Sequence, residues 1–262
     1  MPTSSERPAD QPELALDCRH VTKAYRLGET LSLQRSLRML VPGHSVVDDR
    51  FRALDDVTFS VARGDFFGIV GTNGSGKSTL TQTISGITVP TSGEVHIWGR
   101  VLPLLEVGAG FHDELTGREN VFLLGAILGL SGSQVRGALD AIVAFSGVER
   151  HIDTPMKRYS SGMKARLSFG TAICFPAETY VFDEVLAVVD EEFRNQCVAE
   201  LQRLNAAGRT IIFMSHDLDL VREVCRSGMW LDKGKVRLVG SMPEVARAYH
   251  AGALRHATPV GG

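Results

Sequence analysis

An excess of charge of either sign is missing from this chain. Its 262 residues carry 28 lysines and arginines against 30 aspartates and glutamates, a formal net charge of −2. Without surplus positive charge there is no electrostatic case for a nucleic acid partner. Long apolar runs are missing too. The longest, "VFLLGAILGL" from Val121 to Leu130, falls well short of the roughly 20 residues that span a bilayer. Any membrane role is therefore expected to need a partner. The opening "MPTSSERPADQPE" is polar and acidic, unlike a signal peptide, and residues 1–13 read as disordered. Cysteine is scarce. Cys18, Cys174, Cys197 and Cys225 stand apart, with no CxxC pair and no metal-ligand spacing. They read as isolated reduced thiols. Neither an internal repeat nor a heptad run is visible, which excludes solenoids and coiled coils.

What is present has the rhythm of alternating strands and helices. "DFFGIV" (Asp65–Val70), "TYVFDE" (Thr179–Glu184) and "TIIFMSH" (Thr210–His216) are compact apolar runs, each followed by a candidate helix. Such runs suit parallel strands buried on both faces, with chemistry at their C-terminal ends. Between Thr116 and Gly147 the pattern turns helical, as "TGRENVFLLGAILGL" and then "SGSQVRGALDAIVAFSG". Each opens on a capping Thr or Ser and carries an apolar face. This predicts a helical subdomain over about residues 110–175, inserted into the sheet domain. A segment at residues 27–52 fits neither pattern. Within it Leu33, Leu37, Leu40 and Val41 share one helical face, ended by Pro42 and Gly43. It reads either as a surface loop or as an amphipathic element docking on a membrane-side partner.

The stretch "GTNGSGKST" matches the phosphate-loop pattern, after a buried strand and opening a helix. Gly71, Gly74 and Gly76 would let backbone N–H groups wrap an oxyanion without Cβ interference, with Thr72, Asn73 and Ser75 between them. Lys77 would reach the β- and γ-phosphates, Ser78 would ligate Mg²⁺, and Thr79 would carry the helix N-terminus onto the α-phosphate. The pattern predicts binding of a nucleoside triphosphate. Asp183, at a strand end, suits the Mg²⁺-linked carboxylate, and Glu184 is placed to polarise an attacking water. An acidic pair there could otherwise cap the next helix. His216, at a third strand end, is a candidate hydrogen-bond donor to the γ-phosphate or that water.

With these residues in order, from about Leu14 to Leu254, the chain resembles the ATP-binding cassette (ABC) ATPases. The resemblance implies an α/β fold: a P-loop NTPase cassette with a RecA-like parallel-sheet core, an antiparallel β subdomain and an inserted helical subdomain. "YSSGM" occupies the place of the family's signature loop, usually Leu-Ser-Gly-Gly-Gln. Ser160 and Gly162 match it, while Tyr159, Ser161 and Met163 depart from it. In the family this loop caps the ATP held by a second subunit, which implies a homodimer sandwiching two ATP molecules. Tyr25, in "VTKAYR", lies where the family stacks an aromatic ring on adenine; it could instead be a core aromatic of a strand.

"LLEVGAGFHDELTGREN" (Leu104–Asn120), "YSSGM" and "DEVLAVVD" (Asp183–Asp190) are similar to the ATPase subunits of bacterial polysaccharide exporters, which move O-antigen, capsule or teichoic-acid chains, usually linked to a lipid. The 27–52 segment also resembles an insertion that these ATPases carry near their membrane-spanning permease. The resemblance implies an ATP-hydrolysing subunit on the cytoplasmic face of the inner membrane. The nearest alternative is an importer or a drug or lipid exporter with the same nucleotide chemistry. Three features depart from the family. No glutamine lies between Thr83 and Ser133, where the family has one that touches Mg²⁺, leaving Glu106 as the polar substitute. "AVVD" replaces Ser-Ala-Leu-Asp and keeps only the acid, Asp190, which the resemblance places among the nucleotide-binding residues. Residues 255–262 read as a short tail, without the carbohydrate-binding domain of some O-antigen ATPases, so substrate recognition is expected in the permease.

One placement is odd. Lys164 and Arg166 fall in the first turns of the helix that "YSSGM" opens, where the helix dipole disfavours cations. Either they help attract a phosphate, or they face solvent or local acids.

Overall fold

The computed structural model describes residues 14–26, 50–104, 110–183 and 189–257. The amphipathic stretch Leu31–Val41, Glu106 and Glu184 lie outside the described residues. Strand β1 (Leu14–Arg26) pairs antiparallel with β2 (Arg50–Ala62) on one side and with β4 (Ser92–Ile97) on the other, giving the order β2-β1-β4. Arg50, Phe51 and Arg52 are in register with Arg26, Tyr25 and Ala24, so the β1–β2 ladder extends to the last described residue of β1 and the first of β2.

The larger sheet comprises β3 (Phe66–Val70), β5 (Val101–Leu104), β6 (Thr179–Asp183), β7 (Thr210–Ser215), β8 (Ser227–Asp232) and β9 (Lys235–Ser241). Its order is β5-β6-β7-β3-β8-β9, parallel except for the antiparallel edge strand β9. Every residue of β3, β6 and β7 is buried, which is why these runs are continuously apolar rather than alternating. Their pleat sorts side chains into two cores. Phe66, Val70, Tyr180, Phe182, Ile211 and Phe213 enter one. Phe67, Ile69, Val181, Ile212 and Met214 enter the other, closed by Leu80 and Ile84 of helix α1 (Lys77–Ile84) and by Leu16, Val21, Leu54 and Val57 of the smaller sheet. Helix α1 is thus clamped between the two sheets.

The first core is covered by helices. α2 (Gly117–Ile127) and α3 (Gly132–Ser146) begin where the capping residues predict, at Thr116 and Ser131. Each cap forms a reciprocal box, with Glu119 and Gln134 respectively, an arrangement worth about 1 kcal/mol per helix. Helix α4 (Ser161–Cys174) follows, then α5 (Glu191–Ala206), α6 (Leu218–Val224) and α7 (Met242–Ala257). Aromatic rings lock α3, α4, α5 and β6 together. Phe169 stacks on Phe182 at 5.3 Å and meets Phe193 edge-on at 6.1 Å, and Phe145 contacts both Phe169 and Phe193.

All four cysteines are free thiols, three of them buried. Burial pushes Cys174, the half-buried one, up to about 11, so it stays protonated and unreactive at neutral pH. Among the described residues, no helix is long and apolar enough to cross a membrane.

Candidate functional site

Strands β6, β7 and β3 are neighbours and parallel, so their C-terminal ends share one edge of the sheet. Asp183 is the last residue of β6, His216 follows β7 directly, and Gly71 follows β3. At a strand spacing of about 4.8 Å, the three strand ends lie within about 10 Å laterally. Three segments far apart in sequence therefore converge as their apolar runs predict.

The phosphate loop turns from β3 into α1 through Gly76, the helix N-cap, at φ 107 and ψ 4. A Cβ on Gly76 would lie 2.6 Å from the Ala53 carbonyl oxygen, so only glycine fits. The loop is pinned from below, where Gly234 N donates to Ser75 O at 2.8 Å. Its outer residues Thr72, Asn73 and Gly74 are exposed, as is Ser78, while Gly71 and Ser75 are buried and Thr79 is half-buried. Ser75 Oγ is buried with no hydrogen-bond partner among the described residues. Lys77 is 5% exposed, and its ammonium donates to the carbonyl oxygens of Gly71 at 2.8 Å and Thr72 at 3.2 Å. A buried ammonium beside these carbonyl oxygens lies at the mouth of the loop, where phosphate oxygens would meet it.

Asp183 is 6% exposed. Thr81 lies fully buried between α1 and the sheet, its Oγ1 3.5 Å from Asp183 Oδ2 and 3.1 Å from Lys77 O. The longer distance is a contact rather than a strong hydrogen bond. It still places Thr81, on the helix that the phosphate loop opens, against the strand-end carboxylate. Sequence reasoning passed over Thr81; a threonine on the apolar face of α1, one turn past Lys77, was the available signal. His216 is exposed at the same edge. Tyr25 is 39% exposed near the end of β1, so it is not the core aromatic of the alternative reading. Lys23 lies 5.2 Å from its ring centre.

Ser160 is the N-cap of α4, and its Oγ accepts from Met163 N at 3.2 Å. Ser160 and Ser161 are exposed, and Gly162 and Met163 half-buried. Tyr159, which departs from the signature pattern, is buried, and its hydroxyl donates to His151 O at 2.6 Å. The bulky ring thus serves packing, and the polar loop begins after it. The two oddly placed cations face local acids. Lys164 pairs with Asp113 at 2.6 Å and Arg166 with Asp190 at 2.7 Å.

Asp190 uses both carboxylate oxygens locally. One accepts from Phe193 N at 2.9 Å, capping α5, and the other meets Arg166. The Phe193 N–H and the Arg166 guanidinium hold its carboxyl below the usual carboxylate range. Asn120 was also missed. It is fully buried on the inner face of α2, accepts from His112 N at 2.6 Å and donates to three carbonyls, His112, Leu115 and Thr116. It moulds the "FHDELT" turn that presents Asp113 to Lys164. Its signal was an amide on a helix face otherwise lined by Gly117, Val121 and Gly125.

The profile described as "ABC transporter" matches residues 54–187. The ABC transporter protein AbcA of Aeromonas salmonicida is 44% identical over 200 residues, covering 76% of this chain and 65% of that protein. The O-antigen export system ATP-binding protein RfbB of Myxococcus xanthus is 43% identical over 197 residues, covering 75% of this chain and 45% of that one. The chain thus spans less than two thirds of the length of these two relatives. In three dimensions it resembles a dimeric ATP-binding cassette, MJ0796, in a post-hydrolysis state with ADP and Pi, at a TM-score of 0.70 and 22% identity, over 87% of this chain and 98% of that one. The profile covers more than half of the chain, and the chain therefore belongs to the ABC transporter family and is an ATP-binding cassette of it.

Proposed function

We propose that the protein hydrolyses ATP as the subunit of an exporter that moves a lipid-linked polysaccharide across the cytoplasmic membrane. It works at the inner face of that membrane, through a separate membrane-spanning permease. The observation that carries the ATPase reading is the single sheet edge where the phosphate loop, Asp183 and His216 converge. The polysaccharide reading is supported by the exporter relative and by the motif at Leu104–Asn120.

Each site combines Tyr25, Gly71–Thr79, Glu106, Asp183, Glu184 and His216 of one protomer with Ser160–Met163 of a second copy. An incoming triphosphate replaces the Gly71 and Thr72 carbonyls as partners of Lys77. The Ser78 hydroxyl and the Asp183 and Glu106 carboxylates would supply oxygen donors of the kind Mg²⁺ takes, and that ion would neutralise phosphate charge. Glu184 accepts the proton of the attacking water, and His216 hydrogen-bonds the γ-phosphate. The exposed N-terminus of α4, capped by Ser160, offers its amides to the γ-phosphate held by the partner protomer. Only the closed dimer supplies both faces to that phosphate, so ATP favours closure and hydrolysis releases it.

The test is Glu184→Gln. It is expected to trap an ATP-bound dimer, visible by light scattering, with almost no turnover. Normal hydrolysis by this variant would remove Glu184 from the reaction. Copurification from membranes tests the exporter reading, which fails if no membrane-spanning subunit accompanies the protein.

A further inference from the structure

Arg166 leaves α4 little more than one turn from its start and reaches across to the beginning of α5. Its guanidinium meets Asp190 at 2.7 Å and lies 4.6 Å over the Phe193 ring. Both partners are fixed in place. Asp190 caps α5 through Phe193 N, and Phe193 is fully buried. From the same helix, Phe169 stacks on Phe182, the residue before Asp183. Helix α4 therefore contacts both β6, at Phe182 through Phe169, and the start of α5, at Asp190 through Arg166.

We propose that Arg166 is a positioning residue that couples the two nucleotide sites of the dimer. The proposal rests on the ATP-sandwich reading. In that dimer the loop at Ser160–Met163 touches the partner's nucleotide, while Asp183 serves this protomer's own. A brace between α4 and the start of α5 makes one body of the parts that face the two different nucleotides. Closure of one site moves α4, and Arg166 carries Asp190 and the start of α5 along. Coupling of this kind is a shared two-state element that both sites bias. Arginine suits the task because its planar guanidinium lies over the Phe193 ring while one of its nitrogens donates to the carboxylate; lysine keeps only the charge. The cation that the helix dipole disfavours is thereby explained by what it holds.

A brace that merely stabilised the α4–α5 contact would lower the melting temperature and leave the ATP dependence unchanged. The test is therefore steady-state ATPase against ATP concentration for the whole protein, with ADP affinity measured alongside. Wild type is expected to give a Hill coefficient above 1. In Arg166→Met it falls to about 1 and kcat drops about tenfold, while ADP affinity stays within about twofold, since one protomer's phosphate loop is untouched. Arg166→Lys lies between the two. Asp190→Asn keeps a capping side chain but loses the charge, so it also loses cooperativity and serves if Arg166→Met does not fold. A dimeric protein whose cooperativity survives in these variants overturns the coupling alone, as does a wild-type dimer with a Hill coefficient of 1. A wild type that stays monomeric in ATP by light scattering overturns the sandwich reading and the coupling with it.

Discussion

A methyl group on Gly76 would meet the Ala53 carbonyl oxygen at 2.6 Å, and an L-residue at φ 107 is strained whatever the space around it. Gly76→Ala is therefore expected to cost about 2 kcal/mol or more and to weaken ADP binding, because the loop can relax only by moving its own amides. Thermal melts with and without ADP check this, and an unchanged melting temperature in both would contradict it. At this scale the phosphate loop was legible because its chemistry depends on backbone and spacing, both written locally. Thr81 and Asn120 were not legible, because their roles arise from what faces them. Thr81 matters through Asp183, 102 positions away, and Asn120 through three carbonyls of a turn whose shape no local pattern announces. The choice between the two readings of Lys164 and Arg166 likewise waited on Asp113 and Asp190, which are remote in sequence.

At the scale of elements, the strands and the caps of α2 and α3 were readable in advance, since burial on both faces and a reciprocal cap each leave a contiguous signature. What the helical region does with its charge depends on packing. Lys164 at the start of α4 opposes the helix dipole, and Asp113 offsets it from an adjacent turn. The Lys164 ammonium, through its hydrogen bond and then its charge, holds the Asp113 carboxyl below the usual carboxylate range. A carboxyl whose pKa is lower folded than unfolded stabilises the fold above its unfolded value, near pH 4, and the contribution is lost as pH falls through the folded value. Wild type should thus melt above Asp113→Asn at pH 7, by on the order of 1–2 °C since the pair is largely exposed, and the gap should close as pH falls below about 4. Added salt should narrow it at neutral pH. A gap that widens on acidification would mean that the pair does not hold α4.

At the scale of the whole molecule, the sandwich reading can be tested by breaking each half in a different copy. Lys77→Met removes the buried cation of the phosphate loop. Gly162→Asp damages the other half with little cost to the fold, since the nearest atom to a Cβ there is Ser160 Oγ at 3.9 Å and a carboxylate suits a helix N-terminus. The same carboxylate would repel the γ-phosphate of a partner's ATP. Each variant alone is then expected to be inactive as a homodimer, because both of its sites carry the defect. In a mixed dimer one site carries both defects and the other carries neither, since each site takes its loop from one chain and its signature from the other. Random pairing makes about half the dimers mixed, each with one intact site, so mixing the two inactive proteins should restore up to about a quarter of wild-type activity. Coupling through Arg166 would hold the recovery below that ceiling, because the intact site works beside a dead neighbour. A mixed dimer of wild type with Lys77→Met has one intact site under either arrangement; if it is active, complete absence of recovery from the two well-folded inactive proteins, with mixed dimers demonstrated, would mean that the loop and the signature of one site come from the same chain.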